Sequence, residues 1–224
     1  MKLGNRMKEY EQVFKVKLPK KHPVIIRVDG KAFHTLTRGL DKPFCKLFIK
    51  CMEETSKYLL ENVQNCKMVY TQSDEISLLL DDRATEETEC YFGNILQKLA
   101  SITASMSTYK FNQLTRKEID REGLFDSRAF ILPDNEVPNY FLWRMQDWKR
   151  NSIQMLARSL YSQKQLYKKN KMDMMDMMMD KGVNWAKLSP NLKNGTILIK
   201  EDREVMKTCR KFNYKTLKEF ISEL

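Results

Sequence analysis

Residues 24–30 read Val-Ile-Ile-Arg-Val-Asp-Gly, and residues 67–80 read Lys-Met-Val-Tyr-Thr-Gln-Ser-Asp-Glu-Ile-Ser-Leu-Leu-Leu. The first stretch is a β-branched run cut off by an Asp-Gly turn, the pattern of a buried strand. The second holds two short strand-like runs, 67–70 and 76–80, joined by the polar residues 71–75, a link of hairpin length. Between the two stretches, Phe44, Leu47, Phe48, Cys51, Met52, Thr55, Tyr58 and Leu59 recur on one helical face, and Pro43 suits a first turn. That spacing predicts a helix over 44–62. A second helix is expected over 89–114, with small residues along 100–105 that let it lie close to a sheet, and a further strand over 128–132, closed by Pro133. The order strand, helix, hairpin, helix, strand predicts an α+β fold: a βαββαβ antiparallel sheet of polymerase-palm or ferredoxin-like plan, with its two helices on one face.

Working outward, 224 residues suit one core with an appendage better than two independent domains. Residues 1–140 are expected to form the palm-like catalytic part and 141–224 a mainly helical extension packed on it as a single unit. In that extension Ile153, Leu156, Leu160 and Tyr161 share a helical face, and Asp173, Asp176 and Asp180 share one side of a Met-rich helix. A solvated acidic face is the reading there, because nothing nearby completes a metal-ligand set.

Forty Lys and Arg against twenty-nine Asp and Glu give a net charge of +11, a field that attracts polyanions. Five cysteines form no CxxC pair and only His22 and His34 accompany them, so no zinc pattern exists; scattered thiols suit a reducing compartment. The charged start of the chain and the lack of an apolar run of bilayer length point to a cytoplasmic protein with no membrane partner.

The chemistry-bearing residues are Asp29-Gly30 at a strand end and Ser73-Asp74-Glu75 at a hairpin tip. In a βαββ arrangement these points meet at one sheet edge, and two carboxylates with a backbone carbonyl make a hard-oxygen site suited to magnesium. On spacing alone, plain turn formation is the stronger reading of both Asp residues, because DG and SDE are short and frequent.

The strings IIRVDGKAFHTLTRG (25–39) and YTQSDEISLLL (70–80) resemble two signatures of the tRNA-His guanylyltransferase family, and LGNRMKEYE (3–11) and SRAFILPDNEVPNYFLWR (127–144) resemble its shorter, bacterial-type members. The resemblance implies a 3′-to-5′ nucleotidyltransferase acting on the 5′ end of tRNA. It implies two Mg2+ ions held by the carboxylates of Asp29 and Asp74 and the carbonyl of Gly30, with Glu75 supporting the catalytic pair. It also implies a triphosphate wrapped by the turn Gly30, Lys31, Ala32, Phe33 and His34, with help from Ser73, Lys42 and Lys98.

The chain departs from the family pattern at Gly93, Asn94 and Ile95, where guanylyltransferases carry arginines, and at the HINN-type motif, where it reads Lys149, Arg150, Asn151. Lys149, Arg150 and Asn151 are candidate phosphate or RNA contacts, or simply a solvated helix segment. The missing histidine points from strict addition of one G to tRNA-His toward template-dependent 5′-end repair, with ATP or GTP for 5′ activation and an NTP as substrate. The resemblance further implies a homotetramer. A nucleotide cyclase or conventional palm polymerase, and a non-catalytic RNA-binding module, are the competing readings. In the extension, Trp143, Trp148, Tyr161, Tyr167 and Trp185 are expected mainly in the core.

Overall fold

The computed structural model describes residues 1–201 and 204–224. The stretch 24–30 forms strand β1 (Val24–Gly30), preceded by helix α1 (Leu3–Val13) and followed by a short helix α2 (Phe33–Leu36) and a long one, α3 (Lys46–Asn62). Then come the hairpin β2 (Cys66–Gln72) and β3 (Glu75–Leu80), helix α4 (Leu96–Thr115), strand β4 (Phe125–Ile131) and helix α5 (Val137–Leu160). The short helices α6 (Gln163–Leu166), α7 (Lys171–Asp180) and α8 (Pro190–Asn194) lead into strands β5 (Thr196–Glu201) and β6 (Glu204–Thr208) and a last helix, α9 (Tyr214–Ser222).

The sheet order is β4-β1-β3-β2-β5-β6, and every pairing is antiparallel. The first four strands thus have the βαββαβ plan. Strand β1 is apolar on both faces because both faces are covered. Val24, Ile26 and Val28 pack with Phe48, Met52 and Leu59 of α3 and Leu99 and Phe111 of α4. Ile25 turns the other way, onto Tyr140 and Phe141 of α5 and Leu217 of α9. Truncating a fully buried member such as Leu59 to Ala removes transfer energy and leaves a cavity, about 2–5 kcal/mol together.

The helices expected on one face are α3 and α4. The other face is covered as well, by α5 and α9, and the extension contributes strands in addition to helices. Ile197, Leu198 and Ile199 form an apolar β-branched run that pairs with Met68–Tyr70, so the last third of the chain extends the same sheet. The boundary drawn at residue 140 falls inside α5.

Helix α4 starts at Leu96, later than residue 89, because Phe92, Gly93 and Asn94 all have positive φ and break the turn before it. Its small residues do bring it close to the sheet, where the Thr103 and Ser127 hydroxyls meet at 3.0 Å. In α7, Asp173 closes a capping box with Asn170, while Asp176 and Asp180 face solvent. Among the described residues no helix is long and apolar enough to cross a membrane.

Candidate active site

The hairpin tip is tighter than the five-residue link expected: Gln72 and Glu75 are paired, leaving Ser73 and Asp74 as the turn, with Ser73 at φ 49°. A side-chain-bearing residue held in the left-handed region is strained, and such strain is maintained only where the surroundings enforce it. Next to it, the amide of Gly30 donates to the carbonyl of Asp74 at 3.0 Å, joining the end of β1 to the tip. A Cβ on Gly30 would stand 2.6 Å from the Phe33 ring and 2.9 Å from Cβ of Asp74, so close approach requires glycine here.

After Gly30 the chain bends through Ala32 (φ 55°) into α2. Phe33 is buried against Phe48, Phe111 and Phe125 at centroid distances of 6.0, 5.3 and 4.9 Å, which pins the turn to the core. Of the amides expected to wrap a phosphate chain, two are already occupied: Gly30 by Asp74 and Lys31 by the Leu124 carbonyl at 2.8 Å. Those of Ala32, Phe33 and His34 have no backbone acceptor among the described residues, and the last two are orphan donors of the first helical turn.

This turn and the hairpin tip border a cleft of about 670 Å³. Gly30, Ala32, Phe33, His34, Lys42, Ser73 and Asp74 line it, as do Glu53 of α3, Trp148, Met155 and Arg158 of α5, and Asn191 of α8. Lys42 and His34 are exposed on its rim. Lys31 is exposed but does not line it.

Asp74 is half-buried, and burial pushes its carboxyl above the ordinary value; the Ser73 hydroxyl and its own amide pull it down, while the neighbouring Asp29 charge pushes it up further. No Lys or Arg lies within ion-pair distance of Asp74 among the described residues. Asp29 lies directly across from Glu75 in the ladder and its Oδ2 accepts from Nη2 of Arg27 at 2.7 Å.

Glu75 turns away from the cleft. Its two oxygens accept from Nε and Nη2 of Arg144 at 2.7 and 2.6 Å, with Nε of Arg27 3.4 Å away. Burial pushes its carboxyl up against the pull of these guanidiniums. A carboxylate whose oxygens are both occupied in this way has little left to offer a metal ion, and the pair ties the start of β3 to α5.

Lys98, Lys149, Arg150 and Asn151 do not line the cleft, and neither does Asp29. Lys98 sits on α4 over the Phe92 ring, 5.6 Å from its centroid. Lys149 lies 5.5 Å from the Trp185 centroid, its ammonium pulled down by burial and by Lys171 and Lys211. Arg150 and Asn151 are both bound to Asp147 within α5. Trp148, expected in the core, is buried and also lines the cleft, whereas Arg27, Gln72, Arg144 and Arg158 are not singled out in the sequence analysis. Arg27 alone had a local signal, two residues before Asp29 on the same strand face.

Residues 4–133 match the family model described as tRNAHis guanylyltransferase. A bacterial tRNA(His) guanylyltransferase-like protein solved in complex with ATP is 42% identical and superimposes with a TM-score of 0.94, covering 99% of this chain and 98% of that one. A bacterial guanylyltransferase-like protein solved with GTP is 39% identical, with a TM-score of 0.87 over 99% of this chain and 97% of that one. The tRNA(His) guanylyltransferase of Debaryomyces hansenii is 28% identical over 80% of this chain and 73% of its own length. The chain belongs to the tRNAHis guanylyltransferase family of nucleotidyltransferases.

Proposed function

We propose that this protein adds nucleotides to the 5′ end of tRNA in the 3′-to-5′ direction, acting in template-dependent repair of truncated 5′ ends. The observation that carries the reading is Asp74. It is a half-buried carboxylate at a strained tip, beside a second carboxylate and a nucleotide-sized cleft, with no cationic partner among the described residues. The likeness to proteins solved with ATP and GTP supports a nucleoside triphosphate as the occupant.

The donor set fits magnesium: two carboxylates and the Gly30 carbonyl are hard oxygen ligands, and the mutual repulsion of Asp29 and Asp74 is relieved by a cation. Two Mg2+ ions at Asp29, Gly30 and Asp74 would neutralise triphosphate charge and acidify an attacking hydroxyl. The chain's own part is positioning. The amides of Ala32, Phe33 and His34 and the side chains of Lys42 and Ser73 hold the phosphate chain, the Glu75–Arg144 pair fixes the strand end, and the apolar floor under Phe33 excludes water. The 3′-hydroxyl of the incoming NTP loses its proton to solvent and attacks the tRNA-bound 5′ phosphorus, forming the new phosphodiester as AMP or GMP leaves an end activated by ATP or GTP, or as pyrophosphate leaves an existing 5′ triphosphate.

The tRNA would be gripped by the basic surface around 163–170, where Tyr167 is exposed beneath Lys168. A cytoplasmic homotetramer is part of the proposal. The apolar face of α1, with Leu3, Tyr10 and Val13 exposed, supports self-association.

The test incubates the protein with magnesium, NTPs and 5′-labelled tRNA lacking its first nucleotide, in monophosphorylated and triphosphorylated forms, with the opposing base varied. Extension that follows the template base supports repair. Addition of G to tRNA-His alone makes this a strict guanylyltransferase. Growth at a 3′ end or release of a cyclic nucleotide contradicts the reading, and RNA binding without magnesium-dependent turnover reduces the protein to a binding module.

A further inference from the structure

Two buried polar atoms in residues that line the cleft have no hydrogen-bond partner among the described residues: Oε1 of Gln72 and Nε1 of Trp148. Gln72 is 7% exposed and Trp148 4%. Comparable groups nearby are satisfied. Tyr70, two residues earlier on the strand face shared with Gln72, donates its hydroxyl to the Asn194 carbonyl at 3.1 Å. Trp185 donates its indole N–H to the Ser152 hydroxyl at 2.9 Å. A third unpaired atom, Nε of Arg27, still faces a Glu75 oxygen at 3.4 Å. A buried polar group without a partner forfeits the bond it made to water, and native interiors keep few of them.

We propose that Gln72 and Trp148 bind the nucleobase of the nucleoside triphosphate held in this cleft, the indole N–H donating to its hydrogen-bonding edge and the Gln72 amide oxygen accepting from it. The proposal rests on the reading of the cleft as a nucleotide site and adds how the base is held. It requires only that each side chain turn toward the cleft it already lines. Every base offers donors and acceptors on its Watson–Crick and Hoogsteen edges. Phe44, edge-on to Trp148 at 6.4 Å, and Met155 also line the cleft and give a flat heterocycle apolar surface to pack on. Because the Gln72 amide can present either its oxygen or its NH2, the pair supplies affinity for a base without fixing which base.

The experiment compares wild type with Gln72→Met and Trp148→Phe, each of which removes one polar group and keeps most of the volume. Calorimetric affinities for ATP, GTP and bare tripolyphosphate, all with magnesium, are read beside the Tm of the ligand-free protein. Each variant is expected to bind both nucleotides about tenfold more weakly, the value of one hydrogen bond. Tripolyphosphate affinity is expected to stay unchanged and Tm to stay level or rise. Unchanged nucleotide affinity with a lowered Tm would make both groups structural and overturn the proposal, as would an equal loss for nucleotide and tripolyphosphate. Wild-type protein that binds neither ligand removes the nucleotide site itself and this inference with it, a result distinct from the other two.

Discussion

Asp74 and Glu75 are neighbours in sequence with the same chemistry, yet the fold treats them in opposite ways. Glu75 is closed into a buried network with Arg144 and Arg27, its charge neutralised and its oxygens occupied. Asp74 stands one residue away at the cleft, half-buried and with no Lys or Arg at ion-pair distance among the described residues. On the proposed reading, the carboxylate compensated inside the protein holds the fold, and the one left uncompensated is where a cation would bind. The contrast recurs between Tyr70 and Gln72, and between Trp185 and Trp148.

Breaking the comparison at its functional end gives the largest effect. Asp74→Ala is expected to lower 5′ nucleotide addition by at least about 10⁴-fold, roughly 5 kcal/mol of barrier, while the far-ultraviolet circular dichroism stays that of the wild type. At the structural end, Arg144→Ala strands a buried Glu75 charge, so denaturant unfolding should show a loss of about 3–5 kcal/mol. A variant of Arg144 that keeps full stability breaks the comparison. Gly30→Ala, which drives a Cβ into the Phe33 ring, should cost about 1–3 kcal/mol of stability and displace the turn that lines the cleft.

A smaller effect is read through pH at Asp74. The folded protein holds a proton on Asp74 up to higher pH than the unfolded chain does, so stability falls as pH rises from the ordinary carboxylate range through the raised value. At neutral pH the ionised group is therefore a net burden. Asp74→Asn should raise Tm there, and the advantage should fade as pH is lowered into the ordinary Asp range. A Tm advantage that persists unchanged at acid pH would show that charge is not its source.

Much of this was legible in the chain. The strand at 24–30, the hairpin and the convergence of Asp29 with Asp74 follow from β-branched runs, an Asp-Gly stop and short polar links, all local signals. Strand β5 carries a local signal too, in Ile197-Leu198-Ile199, but it is short and the helical periodicity on either side of it masks it. The late start of α4 depends on left-handed Phe92, Gly93 and Asn94, of which glycine alone announces itself. The partnership of Glu75 with Arg144 joins residues 69 positions apart, and no spacing rule reports it. The unpaired atoms of Gln72 and Trp148 are defined by what fails to surround them, which only packing reveals. Lys98 and Lys149 to Asn151 carried the right charge or polarity for phosphate, but α4 and α5 place them outside the cleft.

The most direct measurement is magnesium-dependent extension of a triphosphorylated tRNA lacking its first nucleotide, with wild type and Asp74→Ala side by side and each opposing base in turn. The account predicts growth at the 5′ end by the base complementary to the template in the wild type and none in the variant. Extension by Asp74→Ala at the wild-type rate, or growth only at the 3′ end, would contradict it.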